Sequence, residues 1–428
     1  MTYIPKTDTR LVTDDIRGSG QTFEQLGLKP ELLRGLSEIN FHTLTPIQER
    51  AIPPILEGRD VIARAKNGTG KTASFIIPAL QMLDTTKTHV QALIMAHTRE
   101  LAMQLSTVAK NIARAMPGVS SRVMCAIGGT PVGEDRERIK LNPLIIIATP
   151  GRLEQLITQR SLNLGQCNMV ILDEADMLLS SNFLENVQNC LNSCSSPRRQ
   201  TVLISATFPS SVENFCRGNL HQPVFINAMT DSLLLRGVTQ YLAVVSEERF
   251  KVKLLSLLLK TLKVNQCIVF VNSVNRCKSL YQVVCDELHV PCLYTHSKMP
   301  PDERARIFDD FTHGKARLLI ATELFTRGID IRTVNVVINF DTPLTTDTYL
   351  HRIGRSGRYG HLGIAITMVA GEAEKQRFMN IDAHIKGQEH CVIHNLPMDP
   401  ADIPTDLYDA SVIDPGIVPE LSQYQAGN

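Results

Sequence analysis

Two short stretches of this chain hold residue types that could do chemistry together. The first is Ala65–Lys66–Asn67–Gly68–Thr69–Gly70–Lys71–Thr72, directly behind the apolar run Val61–Ile62–Ala63. Gly68 and Gly70 free the backbone to bend until successive N–H groups face one anion, and a following helix adds its N-terminal dipole. Lys71 would reach the outer phosphates of a nucleotide, and Thr72 would coordinate Mg²⁺. The run departs from the phosphate-loop pattern at its first position, where Ala65 replaces a glycine. A plain glycine-rich turn is the competing possibility, and the strand before the run and a helix over residues 71–83 weigh against it. The second stretch is Asp173–Glu174–Ala175–Asp176, behind the apolar residues 169–172. That run delivers Asp173 to the carboxyl edge of a sheet, where ligands of open parallel sheets bind. Asp173 would hold Mg²⁺, in part through water, and Glu174 would orient and deprotonate an attacking water. Acidic residues after a strand are often only a helix start, but the pairing with the phosphate loop favours nucleotide hydrolysis.

Both stretches need a frame that brings strand ends side by side. Runs rich in Ile, Val and Leu recur at residues 60–65, 91–96, 122–127, 144–149, 169–173, 201–205 and 224–227, with helical patterns between them. Continuous rather than alternating apolar runs predict buried parallel strands. The alternation breaks around 229–237 and restarts at 238–245, 266–272, 291–296, 317–322, 334–340 and 364–369. The expected organisation is a loose arm over 1–20, an α/β domain over 21–229, a linker over 230–237, a second α/β domain over 238–395 and a tail over 396–428. The tail holds Pro397, Pro400, Pro404, Pro415 and Pro419, so it is expected to run extended along the second domain or to be disordered.

A chain of 428 residues exceeds one ordinary core and suggests two domains. Its 43% hydrophobic and 20% charged content reads as soluble and globular. With 44 basic and 43 acidic residues the formal charge is +1, so a nucleic acid would need a local groove. No apolar run is long enough to span a bilayer, and the opening residues MTYIPKTDTR lack a secretion signal. The 10 cysteines form no CxxC pair, and Cys190 and Cys194, one helical turn apart, are weak as a metal signal; reduced thiols are expected.

The motifs resemble those of DEAD-box RNA helicases, from about Thr22 to Val369. The tetrad at Asp173 spells the family's name, and the second-half segment His351–Arg352–Ile353–Gly354–Arg355–Ser356–Gly357–Arg358 is highly specific. The resemblance implies two tandem RecA-like domains, with ATP and Mg²⁺ as ligands. It implies that Gln48 reads the adenine edge, that Phe41 stacks on the base, and that Asp330 faces the ribose. Ser205, Thr207 and His351 would couple hydrolysis to domain closure. Arg355 and Arg358 would be arginine fingers. RNA would meet Thr98, Arg99, Gly129, Thr149, Gly151 and Arg152 in the first domain, and Asn272, Thr322 and Gly328 in the second. Arg327 offers further charge or pairs with a carboxylate near the site. The chain departs from the family pattern at Asn40, Leu44, His97, Pro301 and Glu323, the last replacing an aspartate.

The resemblance is closer still to the Rck-type branch, with the translation-initiation branch as its nearest rival. Rck-type members are cytoplasmic translational repressors and activators of mRNA decapping. It implies single-stranded RNA as ligand, decay and repression factors bound on the second domain, and a cytoplasmic location that includes P-body-like granules. An ATP-gated RNA clamp with little turnover uses the same residues and is the alternative. With Trp absent and aromatics at 5%, base-stacking platforms are not expected. Leu254, Leu255, Leu258 and Leu259 read as helix core rather than partner surface.

Overall fold

The computed structural model describes residues 18–65, 68–228, 238–323, 331, 333–357, 362–386, 393–396 and 407–408. The chain divides into two compact units between Met229 and Thr230. The expected linker over 230–237 lies outside the described residues. Among those described, no helix is long and apolar enough to cross a membrane, and the cysteines are free.

The first unit is a sheet of β1 (Val61–Arg64), β2 (Ala92–Met95), β3 (Val123–Ala126), β4 (Ile145–Ala148), β5 (Met169–Asp173), β6 (Gln200–Ser205) and β7 (Val224–Asn227). Every pairing is parallel, in the order β3-β4-β2-β5-β6-β1-β7. Strands such as β2 and β4 are buried along their whole length, which is why their sequences are continuously apolar. The order has one consequence for chemistry. β6 lies between β1 and β5, with Arg64 level with Ser205 and Asp173 level with Ile204. The residues that follow β1, β5 and β6 therefore emerge beside one another at a single edge.

The second unit repeats the plan with β8 (Val238–Val245), β9 (Gln266–Phe270), β10 (Cys292–Thr295), β11 (Leu318–Ala321), β12 (Val334–Asn339), β13 (Gly363–Ala370) and β14 (Ile393–Asn395). The order is β10-β11-β9-β12-β13-β8-β14, again parallel throughout. The ends of β11, β9 and β12 are thus neighbours. The short β14 is a strand that the sequence pattern does not reveal. Three residues of mixed polarity carry no period; β14 exists because it completes the ladder on β8. Part of the tail is docked rather than free. Leu407 and Tyr408 are buried, Tyr241 Oη donates to the Leu407 carbonyl at 2.6 Å, and Asn335 Nδ2 donates to Tyr408 Oη at 2.6 Å. Leu254, Leu255, Leu258 and Leu259 are core residues of the helix Glu248–Thr261.

The helix Pro30–Glu38 packs its inner face so closely that a Cβ on Gly35 would come 2.0 Å from the Ile112 carbonyl oxygen. Alanine is ordinarily better than glycine inside a helix by ~1 kcal/mol. Here the clash decides the sign, and Gly35→Ala should destabilise the first unit by about 1–3 kcal/mol. Urea unfolding checks this, and an unchanged or raised midpoint would contradict the close approach.

Candidate nucleotide-binding site

The turn after β1 takes its shape from two glycines in the left-handed region, Gly68 at φ 77° and Gly70 at φ 94°. Gly70 is the N-cap of the helix Lys71–Gln81, two residues shorter than the sequence suggests. A Cβ on Gly70 would come 2.6 Å from Gln48 Nε2 and 2.9 Å from Thr45 Oγ1. Gln48 uses that proximity. Its Nε2 donates to the Gly70 carbonyl at 3.1 Å, and its Oε1 accepts the Thr45 N–H at 2.9 Å. One side chain thus caps its own helix, Pro46–Leu56, and braces the turn. Phe41 stacks on Phe23 with centroids 6.5 Å apart and an interplanar angle of 18°. Ala65 is buried and donates its N–H to the Ser205 carbonyl at 3.2 Å. Thr69 and Lys71 are buried, and Thr72 follows on the first helical turn. Lys66 and Asn67 lie outside the described residues.

At the end of β5 the chain turns sharply. Glu174 sits at φ 52°, ψ 54°, a left-handed conformation that costs a non-glycine residue roughly 1–2 kcal/mol. Its N–H donates to Asp173 Oδ1 at 3.0 Å. Burial, reinforced by the Glu174 charge, pushes the Asp173 carboxyl up to about 7, against the pull of Lys71 and of the Glu174 N–H. The third carboxylate, Asp176, accepts from Ser205 Oγ at 2.9 Å and from Thr207 Oγ1 at 3.0 Å. The tetrad is therefore tied to the segment after β6. The sequence shows Asp176 as a member of the tetrad and gives it no task of its own; the spacing of two hydroxyls in Ser205–Ala206–Thr207 is the signal that could have found one.

Around this edge, Thr98 accepts the Leu101 N–H at 3.2 Å and caps the helix Arg99–Ile112. The Arg99 guanidinium lies against Gly128, where a Cβ would come within 3.3 Å of it. Gly129 is left-handed at φ 97°; Thr149 precedes the helix Pro150–Thr158, and Gly151 has open space beside it. Arg152 is different from its neighbours. Its Nη1 pairs with the buried Asp135, and its Nη2 donates to the Thr130 carbonyl at 2.6 Å. Asp135 also pairs with Arg138 at 2.5 Å. The Arg152 guanidinium is spent on holding the loop that contains Gly129.

The corresponding edge of the second unit is organised by Arg352, which is fully buried. Its Nη1 donates to the Asp341 carbonyl at 3.0 Å and its Nη2 to Asn272 Oδ1 at 2.7 Å, while its guanidinium lies 5.4 Å from the Phe270 ring centre. Burial lowers the Arg352 guanidinium to about 10, with Glu323 and Asp341 holding it up. Asn272 completes its amide by donating Nδ2 to the Thr342 carbonyl at 2.9 Å, and its N–H goes to Asp341 Oδ2 at 2.8 Å. Arg276 pairs with both Asp341 and Glu248. Thr322 donates its N–H to the Thr295 carbonyl at 3.2 Å. His351 lies on the helix Thr346–Ile353, and Arg355 Nε donates to the His351 carbonyl at 3.2 Å. Arg327, Gly328, Asp330 and Arg358 lie outside the described residues.

Comparison with known proteins accounts for both units. Residues 45–215 match the DEAD/DEAH box helicase family, and residues 250–360 match the helicase conserved C-terminal domain. The chain is 47% identical over 367 residues to the ATP-dependent RNA helicase DHH1 of Saccharomyces cerevisiae, covering 86% of this chain and 71% of that one. It is 48% identical over 371 residues to the probable ATP-dependent RNA helicase ddx6 of Dictyostelium discoideum, covering 86% of each. Among solved structures, S. cerevisiae Dbp5 bound to RNA and ADP BeF3 superposes with a TM-score of 0.82 at 29% identity, covering 89% of this chain and 97% of that one.

Two stability changes follow from the geometry. A carboxyl raised from its usual value near 4 to about 7 binds more protons folded than unfolded, so it makes the nucleotide-free protein less stable as pH rises through that window. Asp173→Asn should flatten this slope and raise the melting temperature at pH 8; an unchanged pH profile would contradict the burial argument. Arg152→Met leaves buried Asp135 with Arg138 alone and should cost about 3 kcal/mol, read by denaturant unfolding.

Proposed function

We infer the working cycle of this protein from one premise: the chain belongs to the DEAD-box RNA helicase family. It is an ATP-dependent RNA helicase. The observation that carries the finer reading is the convergence at one sheet edge of the phosphate turn after β1, the carboxylates after β5 and the hydroxyls after β6.

In this reading the turn that begins at Ala65, whose own N–H is held by the Ser205 carbonyl, takes the phosphates on the N–H groups that follow, as far as Thr72, and on Lys71. Phe41, with one face on Phe23, offers the other to adenine, and Gln48 exchanges one of its two internal bonds for the base. Reading the base therefore alters the bracing of the turn. Asp330 takes the ribose. The Thr72 hydroxyl and the Asp173 carboxylate are hard oxygen donors that suit Mg²⁺, with Asp173 acting in part through water. A magnesium ion held there would supply charge that offsets the phosphates and would favour the ionised form of the Asp173 carboxyl, which burial otherwise disfavours. Glu174, aimed by its left-handed backbone, accepts the proton of the attacking water. Asp176 fixes Ser205 and Thr207, which with His351 transmit the state of the site. Arg355 and Arg358 stabilise the transition-state charge, a contribution of ~10³–10⁵ in rate for an arginine finger.

RNA then gates hydrolysis. Thr98, Arg99, Gly129, Thr149 and Gly151 on the first unit and Thr322 and Gly328 on the second meet the phosphate backbone with hydroxyls, N–H groups and charge. Arg152, whose two Nη groups are engaged internally, and Asn272, whose amide is likewise engaged, serve by shaping the loops beside them. Backbone contacts imply single-stranded RNA with little sequence preference. The motif resemblance to the Rck-type branch supports a role in mRNA decay, decapping and translational repression in the cytoplasm, including P-body-like granules. Decay and repression factors would bind the second unit away from the buried leucines of its helix Glu248–Thr261.

The test is steady-state ATP hydrolysis with and without single-stranded RNA. RNA should stimulate the wild type strongly. Glu174→Gln should keep ATP and RNA binding and lose turnover, and Arg355→Ala should lose the stimulated rate. Wild-type turnover in the Glu174 variant would remove that residue as base; tight ATP-dependent RNA binding with almost no wild-type turnover would replace the helicase by a clamp. Gln48→Ala should raise the KM for ATP about tenfold, the equivalent of one net hydrogen bond of ~1.4 kcal/mol.

A further inference from the structure

Glu323 departs from the aspartate usual in the family, and its extra methylene has a partner. Its carboxylate Oε1 accepts from the Thr348 hydroxyl. Thr348 belongs to the first turn of the helix Thr346–Ile353, and its N–H donates to the N-cap oxygen Thr345 Oγ1 at 3.2 Å. The Thr345 and Thr348 hydroxyls lie 3.0 Å apart. Glu323 thus completes the start of this helix from outside it. It also supplies one of the two negative charges that support the buried Arg352 on the same helix, the other being Asp341. In the chain, Glu323 immediately follows Thr322, at the end of β11. One side chain therefore joins the segment assigned to RNA with the helix that carries His351 and leads to Arg355.

We propose that Glu323 is a positioning residue that couples RNA contact at the end of β11 to the placement of the arginine-bearing helix, acting through the Thr348 hydroxyl. A carboxylate that bridges two elements forces them to move as one body: displacement of Thr322 by RNA shifts the helix start rather than dissipating in the loop. An aspartate at the same position would draw the carboxylate back by one methylene. The inference rests on the functional reading above, in which Thr322 meets RNA and Arg355 meets nucleotide.

The experiment is a double-mutant cycle on the full chain with Glu323→Gln and Thr348→Val, reading the RNA-stimulated kcat, the KM for ATP, and RNA binding in the presence of a non-hydrolysable ATP analogue. Each single variant should lower the stimulated kcat about tenfold, the scale of one lost coupling contact, with KM and RNA affinity within about twofold. The double variant should fall no further than either single one, and Thr348→Ser, which keeps the hydroxyl, should retain the wild-type rate. A melting temperature for each variant separates this from unfolding, and Thr348→Ser keeps the test usable if Glu323→Gln folds poorly. Multiplicative losses in the double variant, or variants stimulated as well as the wild type, would overturn the coupling role alone. A wild-type protein that RNA does not stimulate would overturn the functional reading on which it rests.

Discussion

Much of this structure answers one electrostatic problem: Asp173, Glu174 and Asp176 leave β5 in succession, buried, at one edge of a parallel sheet. Like charges held this close out of water are unfavourable unless each finds a separate solution. Asp173 is pushed toward neutrality despite Lys71. Asp176 is satisfied by two hydroxyls from the segment after β6. Glu174 leaves the strand in a backbone conformation that side chains rarely adopt, and its charge adds to the pressure on Asp173. The arrangement is unfavourable for the folded protein alone and is suited to a ligand that brings compensating charge, which is the usual relation between a strained site and its function.

The second unit solves the reverse problem. Arg352 is fully buried, and Arg276 is partly so. Asp341 serves both, through its carbonyl to Arg352 and its carboxylate to Arg276, while Glu323 and Glu248 supply further charge. Asn272 is locked into the same network at both ends of its amide. Two units with one topology thus hold their buried charges differently, the first in a run of carboxylates and the second in a network of guanidinium and carboxylate groups.

The frame was largely legible in the sequence because parallel strands buried on both faces must be continuously apolar. Thirteen strands follow from runs of Ile, Val and Leu, and β14 escapes because its three residues owe their conformation to β8 rather than to any pattern of their own. The glycine turn and the carboxylate edge were legible because paired glycines and clustered acidic residues at strand ends are costly to a fold without a use for them. Partnerships distant along the chain were not. Nothing local marks Asp135 as the partner of Arg152, or Thr348 as the partner of Glu323; a surface arginine and a buried one have the same letter. The double use of Gln48, as cap and as brace for Gly70, likewise depends on a 3.1 Å contact that only the packing of two helices creates. The docking of Leu407 and Tyr408 depends on acceptors and donors contributed by Lys263, Tyr241 and Asn335, which a proline-rich tail does not announce.

The central claim is that ATP and RNA act on one equilibrium of this chain. Its most direct test is reciprocal binding: RNA affinity with and without a non-hydrolysable ATP analogue, and analogue affinity with and without single-stranded RNA. Linkage requires the same factor in both directions, and the account predicts mutual tightening of about tenfold or more. Affinities that do not depend on the other ligand would mean that the two sites are not coupled, and would contradict the account.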